Sequence, residues 1–321
     1  MKKLISILLA LVLLLSLTAC GVDVKEVKAN VYGIAGPTGV GLANLMKDAK
    51  DGKGSLDYNI QLAASNDEIV AKITNKEADI AAVATNLAST LYNKTDGEVV
   101  VLAVNTLGVL NVVAKGIEVP TIASLIGKTI YTTGQGANPE YIINNVLKNN
   151  GLKVGKDVKV EFVSQPQELV SKIVTNEKAV VIAPQPVATA ITVKDKKAKI
   201  LININDEWEK FNDTKLVMGC VIARKEFVEQ NPEAVEAFLE DYKASIEKTN
   251  KDIDGTAALC EEFGIVTPAA VAKKAIPLCN IVYEDGEELK TDLSAYLEFL
   301  YKQNPKSIGG KLPADDFYYG K

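Results

Sequence analysis

Two stretches of the chain repeat one another about one hundred residues apart, and this repetition limits the fold more than any other feature. Glu68-Ile69-Val70-Ala71-Lys72-Ile73 returns as Glu168-Leu169-Val170-Ser171-Lys172-Ile173. Thr74-Asn75 follows the first copy and, one residue later, Thr175-Asn176 follows the second. Each copy then enters a short apolar run and a polar elbow, Ala84-Thr85-Asn86 in one case and Ala183-Pro184-Gln185 in the other. Upstream, Val31-Tyr32 leads into Gly36-Pro37-Thr38-Gly39, and Ile130-Tyr131 leads into Gly134-Gln135-Gly136-Ala137-Asn138. Both halves read strand, Gly-rich elbow, helix, strand, helix, strand, polar elbow. Any two βαβ units share apolar patterning, but spacing kept over two elements argues for one unit used twice.

Periodicity supports that reading. Leu42, Leu45 and Met46 predict a helix over 39–49, and Ile69, Val70 and Ile73 predict one over 66–74. Strands are expected at 30–35, 56–63, 78–84 and 99–105. The second half, from about residue 107, predicts strands at 111–114, 129–133, 158–163 and 180–183. Helices at 139–149, closed by Gly151, and at 167–175 lie between them. A returning strand at 216–223 precedes a mainly helical end, with helices at 232–249, 256–263, 267–276 and 288–302. Asn231 and Pro232 form the start signal of the first of these. Phe317, Tyr318 and Tyr319 are expected to dock the tail on the body. Strand–helix alternation of this kind predicts α/β layers with largely parallel sheets.

Ligands of open parallel sheets bind beyond the carboxyl ends of the strands, where all four elbows fall. The candidate binding residues are therefore Gly36, Pro37, Thr38, Gly39, Thr85, Asn86, Gly134, Gln135, Gly136, Asn138, Pro184 and Gln185. Glycines let backbone approach a ligand, helix starts present free N–H groups, and the side chains are neutral hydrogen-bonding types. Taken singly, each elbow reads as ordinary loop chemistry; four matched elbows read as a shared cleft. The elbows hold no Lys or Arg, and Glu140 is the nearest acid. A neutral, zwitterionic or small anionic ligand fits that inventory. Gly36 to Gly41 has the spacing of a phosphate loop, but Leu42 stands where lysine is required. Gly134-Gln135-Gly136 lacks the third glycine of a dinucleotide fingerprint.

The chain has no histidine, which excludes Ser-His-Asp and Cys-His catalysis and every His-ligated metal. No catalytic set, metal or cofactor is expected. A net charge of −5, without a basic cluster, argues against nucleic acid. Lys2 and Lys3, an apolar run from Leu4 to Leu17, and Leu17-Thr18-Ala19-Cys20 read as a signal peptide over 1–19 ending in a lipobox-like site. Cys20 is the expected lipidated residue, with 20–27 as tether. Three cysteines remain, Cys220, Cys260 and Cys279, an odd number without Cys-x-x-Cys spacing. Buried free thiols are expected; Cys260 and Cys279 are the pair that would bridge otherwise.

Several segments together resemble the solute-binding proteins of the nitrate/sulfonate/taurine and thiamine-precursor group. They are the site at Cys20, residues 68–79, Ser124-Leu125-Ile126-Gly127-Lys128, Asn150-Gly151-Leu152, Pro184-Gln185-Pro186 and residues 227–235. The resemblance implies a type II periplasmic-binding-protein-like clamshell, with lobe one at 28–106 and 218–321 and lobe two at 107–217. It implies capture of a small molecule between lobes and delivery to an ABC permease, by a monomer lipid-anchored outside a bacterial membrane. Fungal pyrimidine synthases of related fold depend on a histidine, absent here. The alternatives are an enzyme on the same fold, chorismate-dehydratase-like, and a ligand-sensing surface lipoprotein.

Overall fold

A computed structural model describes residues 24–320. The signal peptide, Cys20 and the first part of the tether lie outside the described residues. Four strands open the chain: β1 (Lys28–Ile34), β2 (Asp57–Ala63), β3 (Ile80–Ala84) and β4 (Val99–Thr106). Five follow: β5 (Leu110–Lys115), β6 (Thr129–Thr132), β7 (Lys159–Phe162), β8 (Ala179–Pro184) and β9 (Ala198–Asn203). The last two are β10 (Gly219–Arg224) and β11 (Ile281–Glu284).

They form two sheets, ordered β11-β4-β10-β3-β1-β2 and β7-β6-β8-β5-β9. Leaving out the edge strand β11, the orders match position for position: β2-β1-β3-β10-β4 against β7-β6-β8-β5-β9. In the first sheet β1 pairs in parallel with β2 and β3, and β10 runs antiparallel to β3 and β4. In the second, β6 pairs in parallel with β7 and β8, and β5 runs antiparallel to β8 and β9. Both sheets are thus mixed, with four strands running one way in each. β10 and the edge strand β11 run against them in the first sheet and β5 in the second, and β10 and β5 are the strands the chain reaches by crossing from the other sheet. The repeat seen in the sequence extends to burial, since each residue from 81 to 90 has the same burial class as the residue one hundred positions on.

All eight residues of β4 are buried, as a strand covered by helices on both faces requires. The helix Asn66–Thr74 coincides with its predicted span, and the Ser65 hydroxyl caps it by accepting from Glu68 N. The helix predicted over 39–49 is broken into Pro37–Val40 and Ala43–Lys50. Gly41 and Leu42 form the break, and within the first piece a Cβ on Gly39 would stand 2.4 Å from the Ile34 carbonyl oxygen. The predicted strand at 216–223 starts late, because 215–218 forms the second crossing segment, where Met218 N donates to Thr106 O. The periodic reading missed the helices Thr85–Lys94, Val187–Lys194 and Ile204–Glu209, and the strands β9 and β11.

The largest apolar cluster runs through both sheets, joining Val101 and Val104 to Leu110, Ile130 and Ile202. At the junction stands Trp208, the single tryptophan, fully buried. Its ring meets Phe299 edge-on at 4.7 Å, and its Nε1–H donates to Thr214 O at 2.5 Å. Phe317 and Tyr318 are buried, so the tail docks as expected. The three cysteines of the described residues are free and buried, and burial pushes the Cys260 and Cys279 thiols up to about 12.

In the second sheet, Lys115 Nζ lies 2.7 Å from Asp195 Oδ2, with side chains only 11% and 15% exposed. The Lys115 hydrogen bond, aided by the Lys197 N–H, holds the Asp195 carboxyl below its ordinary value of 3.8. A depressed folded value stabilises the fold above the unfolded carboxylate range, and that contribution disappears as pH falls through the folded value. Asp195→Asn is therefore expected to lower the urea midpoint at neutral pH and to match wild type well below 3.8. A difference that stays constant across the pH range would contradict this assignment.

Candidate ligand-binding site

The first elbow leaves β1 through Gly36, whose φ of 115° and ψ of −160° are open in practice to glycine alone. Gly36 O accepts from Gly39 N and Val40 N at 3.0 and 3.1 Å, and Gly36 N donates to Ile265 O. Pro37 takes the first helical position, and half-buried Thr38 packs over Gly219, where β10 begins beside the end of β4.

The second elbow ends β3. Thr85 is fully buried; its hydroxyl donates to Val217 O at 2.7 Å and its N–H to Met218 O at 3.3 Å. This side chain ties the elbow to the crossing segment. Asn86 is half-buried, and its side-chain amide makes no hydrogen bond among the described residues.

The third elbow, after β6, is held from its own helix. Gly136 N donates to the Glu140 carboxylate at 2.6 Å, and the Tyr141 hydroxyl donates to Gly136 O at 3.2 Å. Gly134 is half-buried, while Gln135 and Gly136 are exposed. Asn138, by contrast, is 3% exposed, and its Oδ1 has no hydrogen-bond partner among the described residues.

The fourth elbow, Pro184-Gln185-Pro186, contains a cis bond between its last two residues. Pro184 is half-buried, and Gln185 is 1% exposed. Gln185 N donates to Val109 O at 2.9 Å and its Oε1 accepts from the Thr189 hydroxyl at 2.7 Å. Its Nε2 has no hydrogen-bond partner among the described residues.

Strands β6 and β8 are neighbours in register, Ile130 against Val180 and Tyr131 against Val181, so the third and fourth elbows emerge side by side. Four buried side-chain polar atoms lack partners among the described residues, and Asn138 Oδ1 and Gln185 Nε2 are two of them. Leaving such a group unpaired costs about 1–3 kcal/mol, and each instance in a native fold calls for a reason. Here one acceptor and one donor stand at adjoining strand ends. No cationic side chain belongs to the elbows, and the Glu140 carboxylate already holds the Gly136 N–H.

Sequence reasoning missed the asparagines that set the crossing segments. Asn105 donates to Tyr242 OH at 3.0 Å and accepts from Thr106 OH at 2.9 Å. Asn111 donates to Val109 O at 3.0 Å, and Asn280 donates to Gly108 O. An amide ending the apolar run Val99–Thr106 was the available signal for the first. Among the described residues, one acidic group has metal-ligating spacing, Glu284, Glu288 and Asp292. Lys215 Nζ occupies it, at 2.9, 2.9 and 2.7 Å from the three carboxylates.

A family model described as NMT1/THI5 like matches residues 53–252. The chain belongs to the NMT1/THI5-like family. The match runs from just before β2 to just past the helix Pro232–Lys251 and takes in the whole second sheet with β2, β3, β4 and β10 of the first. Among solved structures, an ABC transporter protein from Parabacteroides distasonis is similar with a TM-score of 0.77 and 22% identity, over 92% of this chain and 100% of that one. The periplasmic aliphatic sulphonate binding protein SsuA from Escherichia coli follows with a TM-score of 0.69 and 14% identity, over 88% of this chain and 90% of that one. The periplasmic nitrate-binding protein NrtA from Synechocystis gives a TM-score of 0.60 and 15% identity, over 87% and 82%. No curated protein matches. At these identities the likeness is one of fold. The NMT1/THI5-like chain has the α/β periplasmic-binding-protein architecture that its motifs resemble.

Proposed function

We propose that the chain is the extracytoplasmic solute-binding component of an ABC importer, a monomer anchored through a lipidated Cys20. Lobe one, 28–106 and 218–321, closes on lobe two, 107–217, around a small neutral, zwitterionic or anionic molecule held by the four elbows. A permease in the membrane reads the closed form. The similar structures are named for binding aliphatic sulphonate and nitrate, which supports the class of activity and leaves the ligand open. The observation that carries the reading is the pair of buried, unpartnered amide atoms on Asn138 and Gln185 at adjoining strand ends. A bound ligand would satisfy both.

The test is a thermal-shift screen of the domain from Gly21 onward. The panel holds sulfonates, nitrate, bicarbonate, pyrimidines and other vitamin precursors, amino acids and chorismate-like acids. A ligand at about one hundred times its Kd adds about 2.7 kcal/mol of stability. One saturable shift with the compound recovered unchanged is the expected result. A compound that shifts the protein and is then consumed would replace the binding protein by an enzyme.

A further inference from the structure

One side chain ties the third elbow to the opposite sheet. Tyr141, in the first turn of the helix Asn138–Asn149, donates its hydroxyl proton to Gly136 O at 3.2 Å. The Tyr141 hydroxyl oxygen in turn accepts from Asn304 Nδ2 at 3.0 Å. The direction of this relay is fixed, because an amide nitrogen only donates, a carbonyl only accepts, and a hydroxyl does both. Asn304 is itself held, since its Oδ1 accepts from Lys306 N at 3.1 Å and caps the turn Pro305–Ile308. That turn is bound to the helix Thr85–Lys94 through Ser89, whose hydroxyl donates to Ile308 O at 2.9 Å. Asn304 therefore stands on the first sheet's side, and Gly136 lies in an elbow of the second.

We propose that Tyr141 is a positioning residue that couples lobe closure to the shape of the ligand elbow. This inference rests on the two-lobed binding reading. With the lobes together, Asn304 reaches Tyr141, and the polarised hydroxyl holds Gly136 O more firmly, as linked hydrogen bonds strengthen one another. Gly136 is then fixed at both its N–H and its carbonyl, which sets the orientation of the peptides beside the buried Asn138. With the lobes apart, the Asn304 bond is lost and the elbow relaxes.

The experiment uses the full mature chain without ligand. Trp208, the single tryptophan, packs on Phe299 of the same helix that ends at Asn304. Its quenching by acrylamide reports the lobe junction, and small-angle scattering reports the radius of gyration. Tyr141→Phe keeps the ring and removes both bonds. Asn304→Ser keeps a capping acceptor for Lys306 N and is too short to reach the Tyr141 hydroxyl. Each is expected to shift the open-to-closed ratio about fivefold toward open, seen as stronger quenching and a larger radius with unchanged far-UV circular dichroism. The double variant should do no more than either single one. Wild-type quenching and radius in the variants, or additive effects in the double variant, would overturn the coupling; if one variant does not fold, the other decides. A screen without any ligand, alongside increased quenching, would remove the binding reading and leave the coupling between sheets in place.

Discussion

Asn138→Leu is expected to make the ligand-free protein more stable while abolishing its response to ligand. The leucine is close in shape to the asparagine, and the substitution removes a buried acceptor that nothing in the fold satisfies. Relief of that desolvation cost should raise the unfolding free energy by about 1–3 kcal/mol. It should appear as a higher urea midpoint at unchanged slope. The compound found in the thermal screen should then give no shift. A functional site that carries stored cost behaves in this way, and a merely structural asparagine does not. Loss of stability in the variant, with the ligand response intact, would remove Asn138 from the site.

The second large effect is expected at the junction. Trp208→Ala removes the largest fully buried side chain and leaves the Thr214 carbonyl without its donor. Large aromatic deletions of this type cost about 3–5 kcal/mol. The cluster around Trp208 holds residues of both sheets, so the loss also weakens their mutual support. Urea unfolding followed by far-UV circular dichroism is expected to start at a lower midpoint and to separate into two steps. A single transition at the wild-type midpoint would show that the sheets are coupled elsewhere.

How far the sequence carried the fold depends on what each segment touches. Asn66–Thr74 announces itself through Ile69, Val70 and Ile73, because its one buried stripe faces a sheet and its other side faces water. Thr85–Lys94 stayed hidden because its buried face includes Thr85 and Ser89, whose hydroxyls bond to Val217 and Ile308. Those partners are remote in the chain, and no local pattern points to them. β9 alternates in burial, with Ala198, Ile200 and Ile202 on the inner side, but Leu201 takes an exposed position, so the run Ile200–Ile202 hides the strand period in the sequence. The elbows were legible because Gly, Pro, Asn and Thr mark strand ends. Which of their polar atoms are free was not, because freedom is decided by the tertiary neighbours. Asn105 is visible in the sequence, but nothing local accounts for an amide in the apolar run Val99–Thr106. Only the approach of Tyr242 explains it.

Thr85 and Gln185 stand at equivalent places, each following the buried strand of its own repeat, one hundred residues apart and alike in burial. A chain made from two copies of one unit begins with two equal half-sites. Here they have diverged. Thr85 has turned its hydroxyl to the crossing segment and become part of the scaffold, while Gln185 keeps a bare amide nitrogen. In the proposed binding protein Gln185 would serve recognition and Thr85 anchorage, so a change of specificity made in the second elbow pair would leave the crossing segment untouched.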